Sequence, residues 1–436
     1  MKLSLLKPNV DSTAAEVYVR SIIERQMNTL PETEQGPSVS VGIIGGGLMG
    51  TAIAATHLMA EIPVHICDYS DAVLSLLPRK ITAELVLQGM DGNVAQIEMF
   101  VAKNVRLVSD PTQLSRNGIL IESIPEKLKL KQKLFRHIET GGFDGLLFSN
   151  TSTIEVAKMV EPLSHKNRFA GFHFFHPVRN RSLLEIIRGP ETSQETIDHA
   201  RKHARRINKL PLVVADGPGF LVNRILNPLL REALALLDAG VEIGKVDETA
   251  KKFGMPMGPF RIIDEIGLDV VLHAGWVLSK AFPDRAYNSE MLLKMIDMGR
   301  LGRKTGKGFW KYDSSNSWEG DGTFDDEINP ILPQRSMEFD EEIIVRRLFL
   351  PMLAETIQAV EDGIVGNYWE ADLAVVMGLG FPVNRGGLCF WAKSVGWDAM
   401  FHEMQILQKQ FGPRFAPPNF SQPDKSDFHP HFTASQ

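Results

Sequence analysis

The chain has 436 residues, which is too long for one ordinary hydrophobic core and suits two or three packed units. Hydrophobic residues make up 44% of the sequence and charged residues 23%, so the composition indicates neither a disordered chain nor a fibrous repeat. The formal net charge of −6 argues against a nucleic-acid-binding protein, which normally carries an excess of basic residues.

Three features of the sequence indicate the cellular compartment: the cysteines, the start of the chain and the length of its apolar segments. Cys67 and Cys389 lack the spacing of a zinc site or of a disulfide framework, so we expect buried thiols in a reducing compartment and no bound metal. Pro8 interrupts the short apolar stretch near Met1, which makes this segment a poor signal peptide. Because no segment is apolar enough for long enough to span a bilayer, the sequence predicts a cytoplasmic protein.

Residues 1–38 are predicted to form an extension, in which an amphipathic stretch at 14–27 precedes a polar linker at 31–37. From residue 39, short apolar runs alternate with longer helical patterns, which predicts a parallel sheet with crossover helices. These runs lie at 41–44, 64–67, 119–121 and 146–148. An α/β architecture follows for a first domain that spans residues 39–213.

After residue 214 the spacing of the apolar residues becomes helical. This predicts one helical domain at 214–312 and, beyond a polar linker at 313–337, another at 338–436. The segments RILNPLLREALALLDAGV, from Arg224, and RLFLPMLAETIQAVEDGIV, from Arg347, share five residues at a constant offset of 123 positions. The sequence therefore predicts two duplicated all-helical units.

A glycine motif, GGGLMG, follows the first apolar run and places Gly45, Gly47 and Gly50 between a strand and a helix. Glycines at this spacing permit a tight turn and let the backbone approach a pyrophosphate at the positive end of the helix. Asp68 follows the second run, where a carboxylate can accept hydrogen bonds from both ribose hydroxyls of a dinucleotide. A carboxylate there also repels a 2′-phosphate, so the sequence predicts a Rossmann-type domain that binds NAD rather than NADP.

A second group of polar residues lies in the segment GFHFFHPVRNRSLLEIIRG. His173 closes an apolar run, and Glu185 follows 12 residues later among leucine and isoleucine residues. A buried carboxylate is costly unless it is paired, and a histidine that acts as a base needs a group that orients it. Each residue alone could be a satisfied polar group of the core, but together they predict a general base and its partner.

Several further motifs accompany these residues over positions 39–312. They are SNTS at 149–152, DGPGFLVNR at 216–224, MGPFRIIDEIGLD at 257–269 and GRKTGKGFW at 302–310. With these motifs, the chain resembles the L-3-hydroxyacyl-CoA dehydrogenase family. The last region, with EDGI at 361–364 and VMGLGFPVNRGG at 376–387, is similar to the second helical unit of multifunctional fatty-acid oxidation enzymes. Since residues 1–38 are too few for the hydratase domain of those enzymes, the chain resembles their dehydrogenase portion alone.

The resemblance implies roles for individual residues. His173 matches the catalytic base of the family, and Glu185 matches the carboxylate that orients it. The family usually has asparagine, or in some members serine, three residues after the histidine, whereas this chain has His176. Imidazole can replace an amide as a donor, but it titrates near neutrality, so the substitution bears on substrate orientation, pH optimum and acyl specificity.

The resemblance also implies that Ser152 and Asn223 hold the reacting oxygen and the substrate, and that Glu126 and Lys131 contact the cofactor. Without the resemblance, Ser152 is typical of a turn or a helix cap, and Asn223 is typical of a helix start. Glu126 and Lys131 would then belong to a solvated helix face.

The function implied by the resemblance is NAD-dependent oxidation of L-3-hydroxyacyl-CoA to 3-ketoacyl-CoA in fatty-acid β-oxidation, with a hydratase or a thiolase as partner enzymes. Two alternatives stay open: another NAD-dependent dehydrogenase of hydroxy acids or sugars, and a non-catalytic subunit that binds NAD or acyl-CoA in a multienzyme assembly.

The duplication bears on oligomeric state as well. Family members with one helical unit resemble dimers that bury its apolar face against a partner's copy, which is a self-complementary contact. A second copy in the same chain predicts a monomer with an internal pseudo-dimer, or at most a dimer that forms through another surface. At the offset of 123, Arg346 stands where the first copy has Asn223, which predicts that the second copy has no catalytic function.

Overall fold

The computed structural model describes residues 4–6, 11–29, 40–312, 322–333 and 338–419. The predicted linker at 31–37 lies outside these residues, as do parts of the predicted linker at 313–337. The chain divides into two compact units, one formed by residues 24–220 and the other by residues 1–23 together with 221–436. The domain limits derived above from the sequence stay predictions.

An eight-stranded sheet lies in the unit of residues 24–220, with its strands in the order β3-β2-β1-β4-β5-β6-β7-β8. The strands are β1 Val41–Ile44, β2 Val64–Cys67, β3 Val105–Val108, β4 Ile119–Glu122, β5 Leu146–Ser149, β6 Phe169–Phe174, β7 Leu183–Arg188 and β8 Leu210–Ala215. Neighbouring strands pair in parallel except β6 and β7, which are antiparallel. The four predicted apolar runs form β1, β2, β4 and β5. The prediction lacks β3, an edge strand whose partly exposed residues give a weak apolar signal.

Helices pack against this sheet through their apolar faces. They are α2 Leu48–Met59, α3 Asp71–Leu87, α4 Val94–Asn104, α5 Leu128–Thr140, α6 Val156–Met159 and α7 Gln194–Arg206, and an earlier helix, α1 Ser12–Asn28, contains the division between the two units. Side chains directly before several of these helices cap their first turns: Ser70 caps α3, Ser193 caps α7, and Asn93 forms a capping box on α4. The core joins strand residues such as Ile43 and Phe172 to apolar residues of α2, α3, α4 and α7.

The other unit is helical. Its helices are α8 Val222–Asp238, α9 Ile243–Phe253, α10 Pro259–Ile266, α11 Leu268–Ala281, α12 Glu290–Asp297, α13 Glu341–Glu361, α14 Tyr368–Ala374, α15 Leu388–Val395 and α16 Trp397–Phe411. A short ribbon pairs β9 Trp310–Lys311 with β10 Thr323–Phe324. In the part of the chain that the structure describes, no helix combines the length and the apolar character that crossing a membrane requires.

The helical unit contains the same arrangement twice. Asp247 of α9 accepts a hydrogen bond from the backbone of Phe260, the second residue of α10, at 2.9 Å. Asp372 of α14 accepts one from the backbone of Cys389, the second residue of α15, at 2.8 Å. The offset between the copies grows from 123 positions in α8 and α13 to 125 at the two aspartates and 129 at Phe260 and Cys389. A π-helical segment, Val375–Leu379, lies between Asp372 and Cys389.

The long helices α8 and α13 pack against each other and exchange buried ion pairs. Arg224 Nε lies 2.5 Å from Glu355 Oε1, and Arg347 Nη2 lies 3.1 Å from Glu232 Oε2. Arg347 and Glu355 are the counterparts of Arg224 and Glu232, so each copy offers the other the same two groups, as in a two-fold symmetric interface. The predicted fold class, a Rossmann-type α/β domain followed by two duplicated all-helical units, is confirmed.

Candidate active site

The carboxyl ends of the parallel strands carry most of the residues that the sequence singles out. Gly45 follows β1, Asp68 follows β2, Ser152 lies just beyond β5, and His173 is the penultimate residue of β6. Because parallel strands end on the same edge of a sheet, these residues lie on one edge, where α/β proteins bind their ligands. Asn223 is not part of this unit, since it lies in α8.

The glycine turn between β1 and α2 has the geometry that a phosphate group requires. Gly45 has a φ of 108°, and a Cβ atom there would lie 2.5 Å from the Ser123 carbonyl oxygen. A Cβ atom at Gly50 would lie 1.8 Å from the Gly45 carbonyl oxygen, whereas one at Gly47 would meet nothing within 4 Å. Gly47 is the N-cap of α2 and offers no capping side chain, so this helix start fits the pyrophosphate of a dinucleotide.

Asp68 is fixed beside this turn by two backbone groups. Its Oδ2 accepts a hydrogen bond from Gly46 N at 2.8 Å, and its Oδ1 accepts one from Ser70 N at 2.9 Å. Each carboxylate oxygen can accept a further hydrogen bond, so the residue keeps capacity for two ribose hydroxyls. The same negative charge disfavours a phosphate at that place.

His173 and Glu185 face each other across the only antiparallel pair of strands in this sheet. The register places them directly opposite, and His173 Nδ1 lies 2.8 Å from Glu185 Oε2. His173 is 5% exposed and Glu185 is fully buried. A carboxylate only accepts hydrogen bonds, so Nδ1 carries a hydrogen and Nε2 of the neutral ring has a free lone pair. This arrangement is that of a base held in one tautomer.

Glu126 binds the loop that follows β5. Its Oε1 accepts hydrogen bonds from Thr151 Oγ1 at 2.6 Å, Ser152 N at 2.9 Å and Thr153 N at 3.0 Å. Burial opposes ionisation, but Lys131 and these hydrogen bonds favour the charged form and lower the pKa of Glu126 to about 2. The carboxylate is therefore ionised at neutral pH and orients the segment that contains Ser152.

Lys131 is 1% exposed and lies between two carboxylates. Its Nζ is 2.6 Å from Glu122 Oε1 and 3.2 Å from Glu126 Oε2. Glu122, which the sequence interpretation missed, is the fully buried last residue of β4 and also accepts a hydrogen bond from Ser149 Oγ at 2.5 Å. The interpretation of Lys131 as part of a solvated helix face is wrong. A charged residue directly after the apolar run at 119–121 was the signal for Glu122, just as a charged residue within an apolar run was the signal for Glu185.

His176 lies in the loop between β6 and β7. Burial, together with the positive charges of Arg179 and Arg181, lowers the pKa of His176 to about 4. Its imidazole is therefore neutral at pH 7, and the titration expected near neutrality shifts to acid pH. Asn150, another residue that the sequence interpretation missed, fixes the start of this loop, because its Oδ1 accepts a hydrogen bond from Phe174 N at 2.9 Å.

The His173–Glu185 pair can exchange a proton with a ligand at the sheet edge that also carries the glycine turn. Across the ranges that the structure describes, no group of three or more histidine, cysteine, aspartate or glutamate side chains could hold a metal ion.

Comparisons with protein families match both parts of the chain. The family model of the 3-hydroxyacyl-CoA dehydrogenase NAD-binding domain matches residues 40–217. The model of the C-terminal domain of the same family matches two stretches, 219–312 and 343–424, in agreement with the duplication.

Solved structures give similar matches. An (S)-3-hydroxybutyryl-CoA dehydrogenase from Ralstonia eutropha is 31% identical, over 64% of this chain and 100% of that chain, with a TM-score of 0.57. A 3-hydroxybutyryl-CoA dehydrogenase from Escherichia coli K12 is 22% identical, over 88% of this chain and 97% of that chain, with a TM-score of 0.72. The dehydrogenase part of a multifunctional enzyme from C. elegans is 24% identical, over 92% of this chain and 95% of that chain, with a TM-score of 0.63. The last two show a shared fold over most of the chain.

Proposed function

The chain belongs to the 3-hydroxyacyl-CoA dehydrogenase family, and we propose that this NAD-dependent dehydrogenase oxidises L-3-hydroxyacyl-CoA to 3-ketoacyl-CoA. The observation that carries the proposal is the buried His173–Glu185 pair, in which Nδ1 and Oε2 are 2.8 Å apart at the same sheet edge as the glycine turn. A histidine held in this way offers one lone pair to a substrate hydroxyl.

In the proposed reaction, His173 Nε2 accepts the proton of the C3 hydroxyl while the C3 hydrogen leaves as hydride. NAD, when bound, supplies the hydride acceptor. Glu185 keeps the His173 ring oriented through Nδ1–H and stabilises the positive charge that the ring acquires. In the reverse direction, the protonated His173 returns its proton to the C3 oxygen.

The other predicted residues take supporting roles in this proposal. Ser152, His176 and Asn223 hold the reacting oxygen and the substrate by hydrogen bonds. Gly45, Gly47, Gly50 and Asp68 hold the dinucleotide. For Glu126 and Lys131, the contacts support an indirect role, because their ion pair and hydrogen bonds shape the loop that carries Ser152.

We also propose that the protein is a monomer that acts in fatty-acid β-oxidation beside a hydratase and a thiolase. The reciprocal arginine–glutamate pairs of α8 and α13 support the monomer, because the second copy already covers the face that a partner would cover. The buried free thiols of Cys67 and Cys389 support the predicted cytoplasmic location.

The proposal is tested by steady-state reduction of acetoacetyl-CoA, followed as NADH oxidation, with the wild-type chain and with His173→Gln. We expect the substitution to lower kcat by roughly 100-fold or more, which is the usual contribution of general-base catalysis. NADH affinity should stay near the wild-type value. Glu185→Gln should act in the same direction, with a smaller loss.

His199→Gln is the matched control, since this exposed histidine lies on α7 of the same unit. It should leave kcat unchanged. A wild-type chain that binds NADH but reduces none of a series of 3-ketoacyl-CoA substrates would instead support a non-catalytic subunit. Turnover by His173→Gln at the wild-type rate would exclude the proposed base.

A further inference from the structure

The loop of residues 175–182, which joins β6 to β7, carries more positive charge than its neighbours neutralise. It begins two residues after His173 and ends three residues before Glu185. Three basic side chains lie in it or against it: Arg179, Arg181 and Lys209. The contacts of each determine which of them is available to a ligand.

Arg179 is already paired. Its Nη1 lies 3.3 Å from each carboxylate oxygen of Glu84 on α3, and both side chains are mostly buried. This pair attaches the loop to α3 and satisfies the Arg179 charge.

Lys209 holds the loop in place from the start of β8. Its Nζ donates hydrogen bonds to the carbonyl oxygens of Val178 at 2.6 Å and Arg181 at 2.7 Å. Burial lowers the pKa of Lys209 to about 8, so the ammonium group is still mostly protonated at pH 7. Two neutral carbonyl groups bind this cation without cancelling its charge.

Arg181 is the remaining cation, and its guanidinium group forms no hydrogen bond or ion pair with any residue that the structure describes. The side chain is partly buried, and burial lowers the pKa of Arg181. Its charge also reaches His176 in the same loop. A cation withdrawn from water without a carboxylate is costly, and the cost is offset when an anion binds.

We propose that Arg181, held by the loop of residues 175–182, binds an oxyanion of the substrate. Arg181 precedes Glu185 by four positions, which is at most roughly 13 Å at 3.3 Å per residue. An anionic group on a substrate that reacts at His173 lies within reach of this guanidinium. Arginine suits such a group, because its planar donors match the oxygens of a phosphate or a carboxylate.

This inference rests on the proposed function for the position of the substrate. The oxyanion has two chemical sources: the phosphates of CoA, or a carboxylate at the far end of a dicarboxylic acyl chain. The two sources differ in which substrates lose affinity when Arg181 is replaced.

The experiment compares the wild-type chain with Arg181→Met, which keeps an unbranched apolar side chain and removes the charge. KM and kcat are measured with acetoacetyl-CoA, with acetoacetyl-pantetheine, which lacks the CoA phosphates, and with 3-oxoadipyl-CoA against 3-oxohexanoyl-CoA. Calorimetric titrations with free CoA and with 3-hydroxyglutarate measure binding without turnover. Arg106→Met is the control, because it removes one positive charge from an exposed position of β3.

If CoA phosphates are the ligand, Arg181→Met raises KM for acetoacetyl-CoA and Kd for CoA about ten-fold or more, with kcat and the KM for the pantetheine thioester little changed. If an acyl carboxylate is the ligand, the wild-type chain prefers 3-oxoadipyl-CoA about ten-fold or more, and Arg181→Met removes this preference and weakens 3-hydroxyglutarate binding. Arg181→Lys should recover part of either effect.

The inference is overturned if Arg181→Met melts at the wild-type temperature and matches the wild-type chain and Arg106→Met in every KM and Kd. Failure of the proposed function looks different, since the wild-type chain would then reduce none of the thioesters. In that case, the titrations with CoA and 3-hydroxyglutarate test whether Arg181 binds an oxyanion. A weaker affinity of Arg181→Met than of the wild-type chain supports the oxyanion site, and equal affinities exclude it.

Discussion

The first helical copy, which begins with α8, and the second, which begins with α13, bury the same charged groups in the same way. Glu232 binds Arg347, and Glu355 binds Arg224. Each glutamate also binds an arginine of a short 3₁₀ turn: Glu232 binds Arg414 of Pro413–Phe415, and Glu355 binds Arg285 of Pro283–Arg285. These groups have no role in the proposed reaction. The interface between the two copies therefore accounts for their presence without any part in catalysis.

The copies differ where the first is proposed to hold substrate. Asn223 has Arg346 as its counterpart, and Arg346 Nε lies 2.8 Å from Glu403 Oε2. They also differ in the side chain that donates a hydrogen bond to the buried aspartate. Trp310 Nε1 donates to Asp247 at 3.0 Å, whereas the Tyr18 hydroxyl of α1 donates to Asp372 at 3.0 Å. The second copy therefore keeps its packing, which Tyr18 of α1 completes, and has an ion pair in place of the amide that is proposed to bind substrate.

Deletion of residues 338–436 removes the second copy and is expected to have the largest effect. It uncovers the apolar side of α8 and leaves Phe253, whose ring stacks at 3.8 Å on Phe349, exposed to water. We expect aggregation or new self-association, measured by size-exclusion chromatography with light scattering. A chain shortened to residues 1–424 is the control. A deleted chain that is monomeric and fully active contradicts the pseudo-dimer.

Breaking the reciprocal ion pairs tests whether the copies are equivalent in packing. Glu232→Gln leaves Arg347 without its carboxylate, and Glu355→Gln removes one of the two carboxylates that bind Arg224, so each should lower the free energy of unfolding by roughly 3–5 kcal/mol. Because Asp362 Oδ2 still lies 2.5 Å from Arg224 Nη2, the loss for Glu355→Gln should be the smaller of the two. The measurement is urea denaturation of both variants. Asp269→Asn, which breaks an exposed pair with Lys304, should cost less than about 1 kcal/mol. Losses that differ between Glu232→Gln and Glu355→Gln by more than about 2 kcal/mol would show that the two pairs are not equivalent.

The two buried aspartates predict a pH dependence that both copies share. Burial raises the pKa of Asp247 and of Asp372 to about 7, whereas the unfolded chain has the ordinary value near 3.8. Their contribution to stability is present below about pH 4 and is lost as the pH rises through 7. The change is up to about 4 kcal/mol for each group, at 1.36 kcal/mol for each pKa unit.

Urea denaturation at pH 5 and pH 8 measures this dependence. Asp247→Asn and Asp372→Asn should each flatten the fall in unfolding free energy between these pH values, and by similar amounts. Asp398→Asn, at the start of α16, serves as the control that keeps both buried carboxyl groups. An unchanged pH dependence in both buried variants would show that these carboxyl groups do not cause it.

Exchanging Asn223 and Arg346, for which different roles are proposed, should have the smallest effect on free energy. Asn223→Arg places the residue of the second copy in the first, and we expect kcat/KM to fall at least about ten-fold, or about 1.4 kcal/mol. Arg346→Asn makes the opposite exchange and should leave kcat/KM unchanged at temperatures where the variant is folded. Equal losses in the two variants would place catalytic function in both copies.

The sequence alone determined the features that depend on local pattern. A strand, a glycine turn and a helix follow one another directly, so Gly45, Gly47, Gly50 and Asp68 could be assigned to a dinucleotide turn without knowledge of the rest of the fold. The duplication was also visible in the sequence, because the segments from Arg224 and Arg347 share residues at a constant offset of 123 positions. The His173–Glu185 pair was predictable because a charged residue within an apolar run needs a buried partner, and the antiparallel register supplied it.

Only the tertiary structure decided which charges are neutralised and by which residues. Lys131 has the sequence context of a solvated helix, yet it is buried because Glu122 and Glu126 surround its ammonium group. Burial lowers the pKa of His176, and the charges of Arg179 and Arg181 lower it further. The partners of Glu232 lie 115 and 182 positions away in the chain. Desolvation and Coulomb energies depend on distances in space, which a linear pattern of residues does not contain.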